Sequence, residues 1–279
     1  MSSAGEHLRE RLQRLPPGRR AELAELLRRG KPEWFSRQGS SDPEMRLFCI
    51  SHAGGGAAVF RGWSDLLPEG VEVCAVQLPG RETRAGEQPY LRMEPLVTDL
   101  HAAIVPLLDR PFALFGHSMG ALVAFELARR LRREGSPRPE HLFLAAFRAP
   151  QLPSPNIRIY HLPDEVLKTV LAKDGTPQSV LDNAEIMAAL LPTLRADLEL
   201  CDTYEHSDEP PLATPMSVFG GRDDVRVSQT DLEQWKAQAD NDFSLSMLPG
   251  SHFFLRGSRD LLLAEISKKL TTSEGDLPA

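Results

Sequence analysis

An apolar run at residues 111–115 leads directly into Gly116-His117-Ser118-Met119-Gly120, and that pentapeptide leads directly into a helical run at residues 121–131. A serine flanked by glycines between a strand and a helix makes a narrow demand on a fold. The turn is tight and strained, the glycines admit close backbone approach, and the serine oxygen is lifted above the edge of a sheet. The helix that follows directs its first amides toward negative charge. The bare G-x-S-x-G pattern arises by chance about 0.1 times in a chain of this length, so the strand–turn–helix setting carries the argument. It makes Ser118 the candidate nucleophile.

The rest of the chain supplies the sheet that such a turn needs. Short β-branched and aromatic runs at residues 47–51, 71–77, 112–116, 141–146, 216–219 and 243–248 alternate with helical stretches at 59–67, 94–108, 119–133, 228–239 and 259–270. This alternation predicts an α/β fold: a mainly parallel central sheet flanked by helices. A chain of 279 residues accommodates one such unit of roughly 250 residues. Between about 150 and 211 the rhythm breaks, with prolines at both ends and helical patterns at 164–172 and 183–204. A helical insertion there is expected to act as a lid over the carboxyl ends of the strands.

Residues 1–31 carry eight basic and four acidic side chains, a local charge of +4 that leaves −11 for the remainder of a chain whose net charge is −7. A helical basic extension is expected at 1–31, followed by the main domain at 32–279. The overall negative charge argues against nucleic acid as the main partner. The start of the chain lacks an apolar signal core, and no apolar run approaches the roughly 18 residues that span a bilayer. A soluble, cytoplasmic protein is therefore expected. Cys49, Cys74 and Cys201 are far apart and form no C-x-x-C pair, and neither H-E-x-x-H, G-x-x-x-x-G-K-[ST] nor G-x-G-x-x-G occurs. Neither metal nor cofactor is expected.

A serine hydroxyl needs a base to take its proton and a third group to hold that base in the right tautomer. On a sheet of this kind the acid follows a late strand and the histidine follows the last one. Gly221, Asp224 and Val227 in Gly220-Gly221-Arg222-Asp223-Asp224-Val225-Arg226-Val227 follow an apolar strand, and their spacing favours Asp224, with Asp223 as the alternative. His252, in Pro249-Gly250-Ser251-His252-Phe253-Phe254, is the candidate base. His117, next to the serine, is expected to support the turn instead. The oxyanion is assigned to the backbone N–H of Met119 and to a second donor from Ser51-His52-Ala53-Gly54-Gly55-Gly56, with Ala53 favoured over Gly54.

Five ordered segments, at residues 51–55, 77–81, 116–120, 191–197 and 249–254, together resemble the type II thioesterases of polyketide and nonribosomal peptide assembly lines, members of the α/β-hydrolase superfamily. The resemblance implies a hydrolase that removes stalled acyl groups from the phosphopantetheine arm of an acyl- or peptidyl-carrier protein, with a monomer expected. Arg81, beside a turn expected at the edge of the site, is a candidate to meet a pantetheine or carrier phosphate, with a plain surface role as the alternative. Two features depart from the family pattern: Ser251 stands where a glycine is usual, and the N-terminal arm is longer. The competing readings are a general carboxylesterase or acyltransferase acting on a free small acyl substrate, and a non-catalytic module that binds a synthase.

Overall fold

The computed structural model of the chain describes residues 33–153, 158–173, 176, 178–240 and 242–271. The helical extension expected at 1–31 lies outside the described residues. The compact unit that starts at Trp34 contains β1 (Phe35–Gln38), β2 (Met45–Ile50), β3 (Val71–Val76), α1 (Met93–Ile104), β4 (Phe112–His117), α2 (Met119–Arg133) and β5 (His141–Ala145). It continues with α3 (Asp164–Lys173), α4 (Gln178–Leu181), α5 (Ala184–Asp202), β6 (Met216–Gly221), α6 (Gln229–Glu233), β7 (Phe243–Leu248) and α7 (Arg259–Thr271). Seven strands form one sheet in the order β1-β3-β2-β4-β5-β6-β7. Every pair is parallel except β1 with β3.

Strand side chains alternate between faces, and both faces of the inner strands are covered, so β2, β3, β4 and β5 are buried along nearly their whole length. Phe48, Ile50, Leu114, Leu142 and Val218 point to one core with Leu96, Leu100, Phe125 and Trp235. Leu47, Cys49, Phe115, Phe143 and Phe219 point to the other, with Phe60, Trp63, Leu263 and Ile266. The α3–α5 insertion carries a third, smaller cluster of Leu167, Leu181, Met187, Leu191 and Leu194.

The strand order reverses beside β2, whose neighbours are β3 on one side and β4 on the other. A crevice opens at such a switch point because successive connections leave in opposite directions. The loops that follow β2 and β4 both open there. The turn after β4 is held by bare backbone contact: a Cβ on Gly116 would sit 2.0 Å from the Gly120 oxygen, and one on Gly120 would sit 2.1 Å from the Ile50 oxygen. Ser118 between them has φ +53° and ψ −121°, a conformation that costs on the order of 1–3 kcal/mol outside glycine. Its N–H is tied to the Ala145 carbonyl at 2.7 Å.

Three expectations need correction. Residues 59–67 form no α-helix but two short 3₁₀ turns, Ala57–Phe60 and Ser64–Leu66, separated by Gly62 at φ +74°. The helix expected at 94–108 passes into a 3₁₀ turn at Val105–Leu107, where Pro106 lacks a donor. That expected at 228–239 splits into α6 and a 3₁₀ turn at Gln234–Gln238. The edge strand β1 was not foreseen. Among the described residues no helix is long and apolar enough to cross a membrane.

The backbone contacts at the turn generate a sharp prediction. Gly120→Ala meets backbone on every side and should lose at least about 3 kcal/mol, the upper end for overpacking. Gly86→Ala has no atom within 4 Å of the added carbon and should stay within about 0.5 kcal/mol. Urea unfolding midpoints of the two variants, compared with the unsubstituted chain, measure the difference.

Candidate active site

The loop after β6 turns so tightly against the loop after β7 that a Cβ on Gly221 would lie 2.4 Å from the oxygens of Gly250 and Ser251. This contact sets Asp224 beside His252. The Ser118 hydroxyl donates to His252 Nε2 at 2.9 Å, and His252 Nδ1–H donates to Asp224 Oδ2 at 2.8 Å. The second carboxylate oxygen of Asp224 accepts the N–H groups of Arg226 and Val227, at 2.8 and 3.3 Å. Asp223 is exposed, and its own N–H goes to the Gly250 carbonyl. Of the two aspartates, the structure brings Asp224 to the histidine.

Burial raises the pKa of the Asp224 carboxyl, but the His252 hydrogen bond and charge and the two backbone donors outweigh it, leaving the group below the usual aspartate range. A charged carboxylate with a side chain only 1% exposed is thus fully satisfied by donors. It fixes the histidine as the Nδ1–H tautomer and leaves Nε2 free to accept from the serine.

Two more histidines, His117 buried and His52 half-buried, flank this line. His117 Nε2–H donates to the His252 carbonyl at 2.9 Å, holding the backbone of the base. Burial, reinforced by the neighbouring His52 and His252, keeps His117 well below the ordinary histidine pKa. His52 donates from Nδ1 to the Ala53 carbonyl at 3.1 Å, and burial lowers its pKa to about 4. Both rings are therefore neutral at pH 7.

Ser118 and Met119 border a cavity of about 520 Å³, together with Ala53, His252, Leu167, Leu171, Leu194 and Leu198. One wall is the sheet edge and the other comes from α3 and α5. Met119 is the first residue of α2, where backbone donors have no intrahelical acceptor. Ala53 sits on the same cavity wall as Ser118, in the loop after β2. The Gly54 N–H, in contrast, is already bound to Asp197 Oδ2 at 2.7 Å.

Arg81 does not occupy the place suggested for a phosphate-binding residue. It is buried, with 7% side-chain exposure, and its guanidinium grips both oxygens of Asp197 at 2.6 and 2.8 Å, the Gly55 carbonyl at 3.0 Å and the Pro79 carbonyl at 3.2 Å. The turn after β3 faces the loop after β2, so the arginine points inward. Asp197 itself was overlooked. Its signal was a carboxylate on the buried stripe of α5, three residues after Leu194 and three before Leu200.

A hydrogen-bonded serine, imidazole and carboxylate at the carboxyl ends of a wound parallel sheet places the molecule in the α/β-hydrolase class. Within that class the chain belongs to the thioesterase family: the thioesterase-domain profile matches residues 45–270. The gramicidin S biosynthesis protein GrsT of Aneurinibacillus migulanus is 42% identical over 240 residues, which are 85% of this chain and 94% of that one. The solved RedJ thioesterase from the prodiginine biosynthetic pathway in Streptomyces coelicolor is 38% identical, with a TM-score of 0.77 over 86% of this chain and 91% of that one. The type II thioesterase BorB from the borrelidin biosynthetic cluster is 33% identical, with a TM-score of 0.79 over 85% of this chain and 97% of that one.

The neutral histidines make folding sensitive to acid. Burial also lowers the pKa of His141, on β5, to about 4. In the unfolded chain these rings bind protons below about pH 6.5, whereas in the folded protein His52 and His141 do so only near pH 4. Unfolding therefore takes up protons between those limits, and stability falls as pH drops through the window. Each ring adds a slope of up to about 1.4 kcal/mol per pH unit. Urea midpoints should decline steadily from pH 6.5 to pH 4.5; a flat profile would contradict the neutral assignments.

Proposed function

We propose that this thioesterase hydrolyses acyl groups from the phosphopantetheine arm of an acyl- or peptidyl-carrier protein, clearing stalled intermediates in polyketide or nonribosomal peptide assembly. The observation that carries the reading is the Ser118–His252–Asp224 line bordering an apolar cavity large enough for an acyl chain. The relatives named above support the assembly-line setting, and the carrier-bound thioester is the natural substrate of such a setting.

In this mechanism the Ser118 oxygen attacks the thioester carbonyl while His252 Nε2 takes the serine proton. The N–H groups of Met119 and Ala53 hold the tetrahedral oxyanion, and Asp224 stabilises the imidazolium. The carbon–sulfur bond then breaks. A thiol of pKa about 8.5, with cysteine as reference, leaves readily as thiolate and takes from His252 the proton that came from Ser118, so the imidazole is neutral again. Water enters, gives its proton to His252 and attacks the acyl-enzyme ester; collapse of the second tetrahedral intermediate returns the proton to Ser118 and frees the carboxylic acid. Leu194 and Leu198 from α5 and Leu167 from α3 face the cavity, so the helical insertion shapes the acyl end of the substrate. On this reading the reaction takes place in the cytoplasm.

Two comparisons test the assignment. Asp224→Asn should lower kcat by about 10³- to 10⁴-fold through loss of the correct imidazole tautomer, while Asp223→Asn should stay within about twofold, as expected for an exposed side chain away from the reacting atoms. Acyl-carrier protein should be turned over with a much higher kcat/KM than the same acyl group on N-acetylcysteamine. Equal efficiency on the two substrates would move the reading to a general acyl esterase, and full activity in Ser118→Ala would end it.

A further inference from the structure

Two of the sequence segments that carry the family resemblance, residues 77–81 and 191–197, hold no group that touches the proposed reacting atoms. The structure shows what they touch. They meet each other beneath the loop after β2, and Asp197 is the point of contact. Its carboxylate is 3% exposed and accepts the Gly54 N–H at 2.7 Å and both arms of Arg81. Arg81 in turn holds the Gly55 carbonyl. Gln77 spans the same junction, accepting the Ala57 N–H at 3.2 Å and donating to the Arg81 carbonyl at 2.9 Å.

The Ala53–Gly54 peptide unit is thereby fixed from both sides. Its N–H goes to Asp197 and its carbonyl accepts from His52 Nδ1. A peptide plane with both polar groups bound cannot rotate without breaking a charge-assisted bond, and it anchors the Ala53 Cα, through which it restrains the preceding peptide that carries the Ala53 N–H. We infer that Asp197, carried on α5, is a positioning residue of the oxyanion hole: it clamps the Ala53–Gly54 peptide so that the Ala53 N–H faces the tetrahedral oxygen, and Arg81 holds the clamp closed. The inference rests on the reading of Ser118 and Ala53 given above and adds a linkage to it. The helical insertion that walls the acyl cavity and the donor that stabilises the transition state are joined by one carboxylate.

The arrangement separates two effects that a substitution could have. Loosening the peptide weakens the oxyanion contact, which exists only in the tetrahedral state, and leaves the acyl cavity in place. Thr193 provides the internal comparison. Its hydroxyl ties α5 to the Gly80 carbonyl at 2.6 Å without touching the Ala53–Gly54 peptide.

Asp197→Asn, the paired Arg81→Gln/Asp197→Asn variant that leaves no unpaired buried charge, and Thr193→Val are compared for kcat, KM, affinity for an acyl-chain boronic acid and affinity for an unreactive thioether analogue of the substrate. The Asp197 variants should lose about 10²-fold in kcat, the scale of a lost oxyanion donor. Boronic acid affinity should fall in step, while KM and thioether affinity stay within about threefold. Thr193→Val should lower the urea midpoint and leave kcat and boronic acid affinity unchanged. Equal losses for boronic acid and thioether, or unchanged kcat in a folded Asp197 variant, would overturn the inference. In the unsubstituted enzyme, where folding of a variant is not at issue, the Gly54 amide should be protected from hydrogen exchange, and rapid exchange there would also overturn it. Retained turnover in Ser118→Ala is a separate result that removes the underlying reading of the site.

Discussion

The backbone of Gly120 lies so close to the Ile50 carbonyl that no side chain fits between them, and much of the molecule can be read as a consequence of that contact. It brings the first turn of α2 against the end of β2 at the point where strand order reverses. The serine between the two glycines must then adopt φ +53°, at a local cost that only a well-packed surround can hold. Both faces of the sheet are covered by large apolar clusters, and the Ser118 N–H is bound to β5. This packing and that hydrogen bond hold the strained turn, and the serine is left standing clear of the sheet beside the start of a helix.

Electrostatics at the site follow from the same crowding. Three imidazoles pack within one small volume, with His117 5.7 Å from His52 and 5.6 Å from His252 between ring centroids. Were more than one charged, mutual repulsion and desolvation would act together. Two are committed to backbone carbonyls as neutral donors, and only His252 lies between a hydroxyl and a carboxylate. The neighbours serve as shaped, uncharged hydrogen-bond donors that hold loops in place.

Local pattern made the centre of the sheet legible and long-range geometry hid the rest. β4 and β5 announce themselves because burial on both faces produces nearly unbroken apolar runs, while β2, β3, β6 and β7 are broken by Arg46, Glu72, Ser217, Ser244 and Ser246 but keep enough apolar and aromatic residues to read as strands. β1 has only four residues, pairs on one side and has its two middle residues exposed, so nothing in its composition separates it from a loop. The spacing from Gly221 to Asp224 to Val227 is that of a local turn, and in the structure this turn sets Asp224 against His252. Arg81 misled for the opposite reason. An arginine in a Pro-Gly turn looks like surface, and its partner Asp197 lies 116 residues away. The residues between 59 and 67 have helical composition, but Gly62 at φ +74° redirects the backbone between the two short turns.

The insertion between β5 and β6 has its own small apolar cluster, centred on Leu167, Met187 and Leu194 and distinct from the two that stabilise the sheet. Some of the same side chains, Leu167 and Leu194 among them, line the cavity. Recognition and folding are thereby assigned to different parts of the chain. Substitutions that reshape the chamber draw on the stability of a few helical turns, while the sheet and its strained serine keep their own support. Such a division lets the chamber change while the chemistry stays unchanged, and Asp197 is a position where a substitution would be felt by both.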